Sequence, residues 1–302
     1  MKKYFITSVL SIMICISSLA NELSPYIRVG AVKGTMKEVY EMAVTALKNK
    51  NFQVLGTYNP AGSEQLKVIV FTRNDIKYTV VKVRDRGALA AAMKIGLRKK
   101  GNTIVVSYVN PDFIFRAYLG NSYDTYKSSF DKFHNDLKEA MHKLGNEFMP
   151  FGGKISAKSL GNYRYKISMP RFSDPIVLSD YTNFYTMYNQ IIKNLKSNNY
   201  GAKLVYNIVY PDKKIAVIGI GLLGNWTESE SYFLERIGAD NIAALPYEII
   251  LQDYKVTMLH GKYRFALFWS DLSLLKFMKI MSTPKHIEKT FRKITSYSDN
   301  GI

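Results

Sequence analysis

The spacing of apolar residues predicts a regular order of strands and helices over the first half of the chain. Apolar runs favour strands at 26–32, 52–58, 66–71, 92–98 and 103–109. One helical stripe is formed by Met36, Val39, Tyr40, Ala43 and Leu47. Thr35 and Glu38 have the spacing of a capping box, so this helix is expected to begin after Thr35. The β-branched segment 75–85 fits either a strand or a helix. Two more helices are expected, a short one after Pro111 and a long one that ends at Gly145.

A comparable order of elements is expected in the second half. Apolar runs predict strands at 163–169, 176–178, 204–210 and 215–222. One helix is expected to begin at Thr182 or Asn183, and another to cover 228–236. A second apolar hairpin is expected over 247–269. A short helix opened by Asp271 and a final helix from Thr283–Pro284 to Ile294 complete the prediction.

The repeated order predicts an internal duplication, with chance similarity of two α+β halves as the alternative. The expected fold class is α+β, with two similar domains, each a mostly antiparallel sheet with helices packed on one face. The segment 146–162 is rich in Gly, Ser and Lys and lacks a period, which is typical of a linker. The predicted boundaries are 24–147 for the first domain, 148–162 for the linker and 163–297 for the second domain. The two domains are expected to form a pseudo-twofold pair with a ligand cleft between them.

Two strands of the first half end in the dipeptide Asn-Pro, at "YNP" (58–60) and "VSYVNP" (106–111). With the hairpin at 88–120, they resemble the family called domain of unknown function 302. The segment 245–272 is similar to the same hairpin, although Trp269-Ser270-Asp271 stands in place of Asn-Pro. The resemblance covers 26–145 and extends over 163–295 as a divergent second copy. It implies a prokaryotic α+β domain, often in exported or accessory proteins, and it implies no catalytic residues.

The N-terminus predicts export. Lys2 and Lys3 precede an apolar run at 4–16, and Ser18-Leu19-Ala20 offers small residues for cleavage, so residues 1–20 are expected to be a cleaved signal peptide. An uncleaved anchor is the alternative. We therefore expect a periplasmic protein. Cys15, the only cysteine, lies inside the predicted signal, so the mature chain would form neither disulfides nor thiolate metal sites.

The charge balance favours anionic partners. The chain carries 42 basic and 24 acidic residues, a formal net charge of +18 that is spread over both halves. Export argues against nucleic acid as the partner. An unknown small molecule or an anionic envelope component, with peripheral membrane contact, is expected instead. A plain solvated basic surface is the alternative.

Candidate chemistry is sparse. His260 on an expected strand, with Asp271 nearby in sequence, is a candidate general base. The basic segments around 82–87 and 98–100 are candidate anion sites, and aromatic rings suit a cleft wall. The candidate ligand-binding residues are Arg84, Arg86, Arg98, Tyr108, Tyr263 and Arg264.

No cofactor or metal is expected. "GIGLLG" at 219–224 has the spacing of a dinucleotide motif, with Asp240 about 20 residues later. However, no helix starts inside it, and we interpret it as a strand end where another backbone passes closely. The four histidines, at 134, 142, 260 and 286, show no metal-ligand spacing.

These observations together predict an exported, non-catalytic binding or accessory protein for an anionic or amphiphilic ligand. Two alternatives remain open at this point. One is a periplasmic hydrolase that uses His260 and Asp271. The other is a structural envelope protein that binds anionic lipid.

Overall fold

Two antiparallel sheets with associated helices form the α+β framework of the protein. The structure is a computed structural model and describes residues 22–197, 200–224 and 226–296. The signal peptide predicted at 1–20 lies outside the described residues. Within the described ranges, no helix combines the length and the apolar character needed to cross a membrane.

The strands, in chain order, are β1 (Glu22–Leu23), β2 (Tyr26–Lys33), β3 (Gln53–Tyr58), β4 (Leu66–Thr72), β5 (Met93–Lys100), β6 (Thr103–Val109), β7 (Met149–Phe151), β8 (Ile155–Ser156), β9 (Ile176–Asp180), β10 (Ala202–Tyr210), β11 (Ile215–Leu222), β12 (Tyr247–Gln252) and β13 (Lys255–Met258). The α-helices are α1 (Met36–Lys48), α2 (Asn74–Val80), α3 (Pro111–Leu119), α4 (Lys127–Met141), α5 (Phe184–Lys196), α6 (Glu230–Ile237), α7 (Gly261–Phe268), α8 (Leu274–Met278) and α9 (Thr283–Ile294).

The two large sheets share one strand order. The first sheet runs β3-β4-β5-β6-β2-β7 and the second runs β10-β11-β12-β13-β9. If β2 is counted as the first strand of one half and β9 as the first strand of the other, both sheets have the order second, third, fourth, fifth, first. The first sheet has β7 as an additional edge strand. All neighbouring pairs are antiparallel. A small third sheet pairs β1 with β8.

Local sequence signals account for several helix starts. Thr35 and Glu38 form the predicted capping box at α1, with the Thr35 hydroxyl accepting from the Glu38 N–H. The Asn183 side chain accepts from the Thr186 N–H at 3.0 Å, so Asn183 caps α5. The ambiguous segment 75–85 contributes α2 and no strand. These starts place each helix directly after its preceding strand or turn.

Two predicted strands are wrong. Residues 163–169 contain no strand, and the hairpin expected over 247–269 ends at Met258. His260 then caps α7, so His260 to Arg264 lie at a helix start and not on a strand. The helix predicted to begin at Asp271 starts after Ser273 instead. The candidate residues of this region consequently have a different geometry from that expected.

Part of the segment predicted as a linker forms strands that pair with other strands of the protein. β7 pairs with the edge strand β2, and β8 pairs with β1. The Ser270 hydroxyl donates to the Gly152 carbonyl at 2.7 Å. Residues 146–162 therefore attach to both halves of the chain.

The two halves contact each other reciprocally. A 3₁₀ turn of the second half, Ile242–Ala244, lies on β4, β5 and β6. The corresponding turn of the first half, Gly87–Ala91, contacts β11. Both turns are buried and combine alanines with one large aliphatic residue, Leu89 or Ile242. Each sheet thus receives an element from the opposite half.

The edge strands β3 and β10 lie against one another. A Cβ added to Gly56 would stand 2.0 Å from the Val205 carbonyl oxygen, so only glycine permits this backbone approach. Both strands carry a register irregularity near this point, at Val54/Gly56 and Leu204/Tyr206. The two bulged edges cover each other.

Candidate functional site

An open-sided apolar cavity of about 180 Å³ lies between α7, α8 and the irregular segment 163–169. Its apolar wall includes Met169, Phe265, Trp269, Leu272, Leu274 and Phe277. The position differs from the expectation of a cleft between the halves, because the lining residues come from 165–169 and 262–277. This cavity is the best candidate for a ligand site.

Hydrogen bonds and ring contacts hold the cavity walls in place. The Tyr163 hydroxyl donates to the Ala266 carbonyl at 3.2 Å and attaches the irregular segment to α7. Trp269 packs against Phe265 with ring centroids 5.2 Å apart, and Phe233 meets it edge-on at 6.3 Å. The wall around Trp269 is therefore fixed by aromatic packing.

Three polar groups accompany this apolar wall. Lys166 and Lys262 line the cavity and are exposed, so they bring positive charge to its mouth. Trp269 is 3% exposed, and its buried indole Nε1–H has no hydrogen-bond partner among the described residues. A buried donor without a partner costs free energy. The arrangement suits a molecule with an apolar part and an anionic head.

A buried ionic cluster lies elsewhere, where the two hairpins meet. Lys94 forms an ion pair with Glu248, and the Arg264 guanidinium lies 3.9 Å from the second Glu248 oxygen. The Arg264 guanidinium also lies 3.6 Å from the centroid of the Tyr247 ring and donates to the Pro246 carbonyl at 3.1 Å. The side chains of Lys94 and Glu248 are 7% and 5% exposed. Such burial closes the cluster to solutes and makes it a structural contact.

Most predicted ligand-binding residues lie apart from the cavity. Arg264 belongs to the buried ionic cluster. Tyr263 and Tyr108 are each 1% exposed, and burial raises the pKa of both phenols. Tyr263 is 6.3 Å from Phe172 in ring-centroid distance, while the Arg86 guanidinium lies over the same ring at 4.6 Å. Tyr263 and Arg86, which are far apart in sequence, are therefore brought near one another at Phe172.

The three basic candidates outside the ionic cluster are either exposed or paired with other groups of the protein. Arg84 is exposed. Arg98 pairs with Asp240 at 3.1 Å across the two halves. Arg86 is 5% exposed and donates to the Phe172 carbonyl at 2.6 Å and to Asp85. The six candidates do not converge on one anion site.

His260 has a structural role in the described part of the chain. Its Nδ1 accepts from the Lys262 N–H at 3.2 Å and so caps α7. Partial burial and the neighbouring Lys262 lower the pKa of His260. Asp271 is exposed, and no hydrogen bond or ion pair joins it to His260 within the described ranges. The pair is therefore not assembled as a base with a carboxylate partner.

The glycines at 219–224 make room for aromatic rings. A Cβ on Gly219 would stand 2.0 Å from the Tyr206 ring, and one on Gly221 would stand 2.8 Å from Tyr58. The motif lies on the antiparallel strand β11, which ends without opening a helix. Across the described residues, no group of three His, Cys, Asp or Glu side chains could hold a metal ion.

Sequence reasoning missed the cavity and the cluster for different reasons. Lys94 and Glu248 each interrupt an apolar strand, in "MKIGL" and "YEIIL", and this was the available signal. In the sequence, Trp269 stands out only as a residue in place of an Asn-Pro. Lys166 lies in a predicted strand that does not form, so the pattern gives no indication that it lines a cavity.

The comparisons with known proteins found no match for this chain. No protein-family model matches it, and no curated protein matches it significantly. The resemblance to the domain of unknown function 302 consequently stays a prediction from the quoted segments.

Proposed function

We propose that the protein is an exported, non-catalytic binding protein that takes the apolar end of an anionic amphiphile into the cavity beside Trp269. The supporting observation is the apolar wall around Trp269, with the exposed Lys166 and Lys262 at the mouth. A carboxylate on a single alkyl chain has the matching chemistry. An apolar protein cavity of about 150 Å³ accommodates a benzene-sized group, so this cavity would take a comparable segment of a chain.

The proposed compartment is the periplasm. Its support is the sequence of residues 1–20, with its lysines, apolar run and small residues before the cleavage point. The hydrolase alternative has less support, because the Nδ1 of His260 caps a helix and no hydrogen bond joins the ring to a carboxylate among the described residues.

We also propose that the two halves descend from an internal duplication. The same strand order in both sheets supports it, as do the reciprocal 3₁₀ turns at 87–91 and 242–244. A further parallel is a proline that opens the 3₁₀ turn after the second strand of each half, Pro60 and Pro211.

Tryptophan fluorescence tests the binding proposal directly. The chain has two tryptophans, so Trp226→Phe leaves Trp269 as the only indole reporter. Titration with decanoate is expected to change the Trp269 emission saturably. Because the lysines recognise the head, Lys166→Ala with Lys262→Ala should weaken decanoate binding several-fold while leaving decanol binding unchanged.

Two further variants complete the test. Phe277→Asp puts a charge in the wall and is expected to abolish binding of both ligands. Lys37→Ala, at a side chain that is 84% exposed on α1, is the matched control and should bind like the parent. Absence of a saturable emission change up to the solubility limit of decanoate would show that the cavity is not a ligand site.

A further inference from the structure

Large apolar side chains are exposed together around the mouth of the cavity. Of the 13 exposed large hydrophobic residues in the described part of the chain, six belong to 165–167 and 274–281. We call them the apolar rim, and they are Tyr165, Ile167, Leu274, Leu275, Met278 and Met281. Ile167 is 84% exposed and Leu275 is 76% exposed. Singly scattered apolar residues are normal on a surface, whereas a cluster of this kind marks an interaction site.

The geometry of α8 keeps these side chains outside. Met278 is a neighbour of both Leu274 and Leu275 on the helix surface, because residues four and three apart lie on the same side. All three side chains are exposed, whereas Phe277 is half-buried and lines the cavity together with the edge residue Leu274. Ser273 caps the helix, and the Tyr232 hydroxyl donates to the Lys279 carbonyl at 3.4 Å. The helix is thus anchored with its apolar face uncovered.

The apolar rim is one surface because its two parts meet at the cavity. Tyr165 and Leu274 line the same cavity from opposite segments. Ile167 and Met169 line an adjoining cavity that also shares Lys262 with the first. The two parts of the rim therefore adjoin the cavity that we propose for the ligand.

The charge around the apolar rim is predominantly positive, although Asp174 lines the adjoining cavity. Residues 163–171 and 272–282 contain five basic side chains and no acidic one. Lys166, Lys276 and Lys279 are exposed between the apolar residues, and Asp271 precedes the second segment. Lysines interleaved with protruding aliphatic side chains are typical of surfaces that bind anionic membranes. A second copy of the same rim would be repelled by its like charge.

We propose that the apolar rim docks the protein onto the surface of an anionic lipid bilayer. Leu275, Met278 and Ile167 enter the boundary between headgroups and acyl chains, while the lysines pair with lipid phosphates. This docking goes beyond the cavity ligand and does not depend on it. It would nevertheless place the cavity mouth against the membrane.

Vesicle co-sedimentation tests the docking with the mature chain. Binding to vesicles of phosphatidylglycerol and phosphatidylcholine is expected to exceed binding to pure phosphatidylcholine and to fall as salt is raised. The variant Leu275→Glu with Met278→Glu should partition at least about tenfold less, since it removes apolar burial and adds repulsion. Lys276→Gln with Lys279→Gln should weaken binding only to the anionic vesicles.

Matched controls decide the outcome. Met42→Glu changes an exposed methionine on α1, far from the rim in sequence, and should leave vesicle binding unchanged. Circular dichroism checks that each variant is folded. The proposal would be overturned if Leu275→Glu with Met278→Glu bound the vesicles as well as the parent protein. It would also be overturned if the parent protein sedimented as a dimer and only this variant were monomeric. Decanoate titration of the same variants shows whether the cavity binds its ligand independently of whether the rim binds membranes.

Discussion

At the scale of single residues, Glu230 is a buried carboxyl group that joins the two halves. It is 0% exposed at the start of α6. It accepts hydrogen bonds from the Tyr58 hydroxyl at 2.9 Å, the Ala61 N–H at 3.0 Å and the Leu222 N–H at 3.1 Å. Burial raises the pKa of Glu230 to about 7, although these hydrogen bonds act in the opposite direction.

This shift predicts a pH dependence of folding. Because the folded-state pKa lies above the ordinary value of 4.5, the folded protein binds the proton more tightly than the unfolded chain. The contribution of Glu230 to stability should be greatest below about pH 4.5 and be lost as the pH rises through about 7, a change on the order of 3 kcal/mol. Glu230→Gln should remove that slope in urea unfolding measured from pH 4.5 to 8.

The control for this experiment is Glu235→Gln on the same helix. Glu235 has a side chain that is 76% exposed, so its substitution should leave the slope as it is. A slope that persists in Glu230→Gln would assign the pH dependence to another group.

At the scale of elements, the two hairpins meet through the buried ionic cluster. Lys94 on β5 and Glu248 on β12 pair across the halves, and Arg264 on α7 approaches the same carboxylate. Glu248 thus serves two cations. The consequences of removing the anion and removing one cation should differ.

We expect Glu248→Met to destabilise the protein by about 3–5 kcal/mol, since it leaves two buried cations without a carboxylate. Lys94→Met should cost less, because Glu248 keeps Arg264. Guanidinium unfolding of both variants measures the difference. Glu41→Met, which breaks the exposed Lys37–Glu41 pair, is the control and should stay within about 0.5 kcal/mol of the parent. Equal losses for Glu248→Met and Lys94→Met would contradict the shared role of the carboxylate.

Sequence patterns predicted elements well where one face is buried. The α1 stripe and the capping box at Thr35 gave the helix start, and β4, β5 and β6 lie close to their predicted bounds. The patterns predicted the wrong element where the buried residues do not recur at the period of the element that forms. α7 is buried around most of its circumference, so Tyr263, Phe265 and Leu267 looked like an alternating strand.

The strand predicted at 163–169 is wrong for the opposite reason, because its apolar residues alternate without being buried. Tyr163, Tyr165 and Ile167 alternate like a strand, yet two of them are exposed and no strand pairs with them in the described residues. The cavity depends on this segment and on the start of α7, which is why the candidate site was harder to predict than the sheets.

At the scale of the whole molecule, the halves depend on each other. Tyr58 bonds Glu230, Lys94 pairs with Glu248, and the Tyr210 hydroxyl donates to the Lys77 carbonyl at 3.0 Å. Separation would leave buried polar groups without partners. The two sheets are therefore expected to fold as one cooperative unit.

Expression of residues 22–162 and 163–302 as separate chains tests this dependence. We expect neither fragment alone to give a cooperative thermal transition, whereas co-expression should recover one soluble complex. Calorimetry and proton NMR dispersion are the measurements. A first fragment that melts cooperatively at the temperature of the intact chain would show that its sheet is autonomous.

The back-to-back placement of β3 and β10 has a consequence for solubility. Unpaired strand edges are templates on which further chains can add, and fibrils grow from them. Gly56 lets the two longest outer strands shield one another. At the other borders of the two large sheets, the described residues place the three-residue β7 and the irregular five-residue β9. The exposed strand edges therefore offer a second molecule little straight backbone on which to add a strand. At high protein concentration the chain is expected to stay monomeric and not to form fibrils.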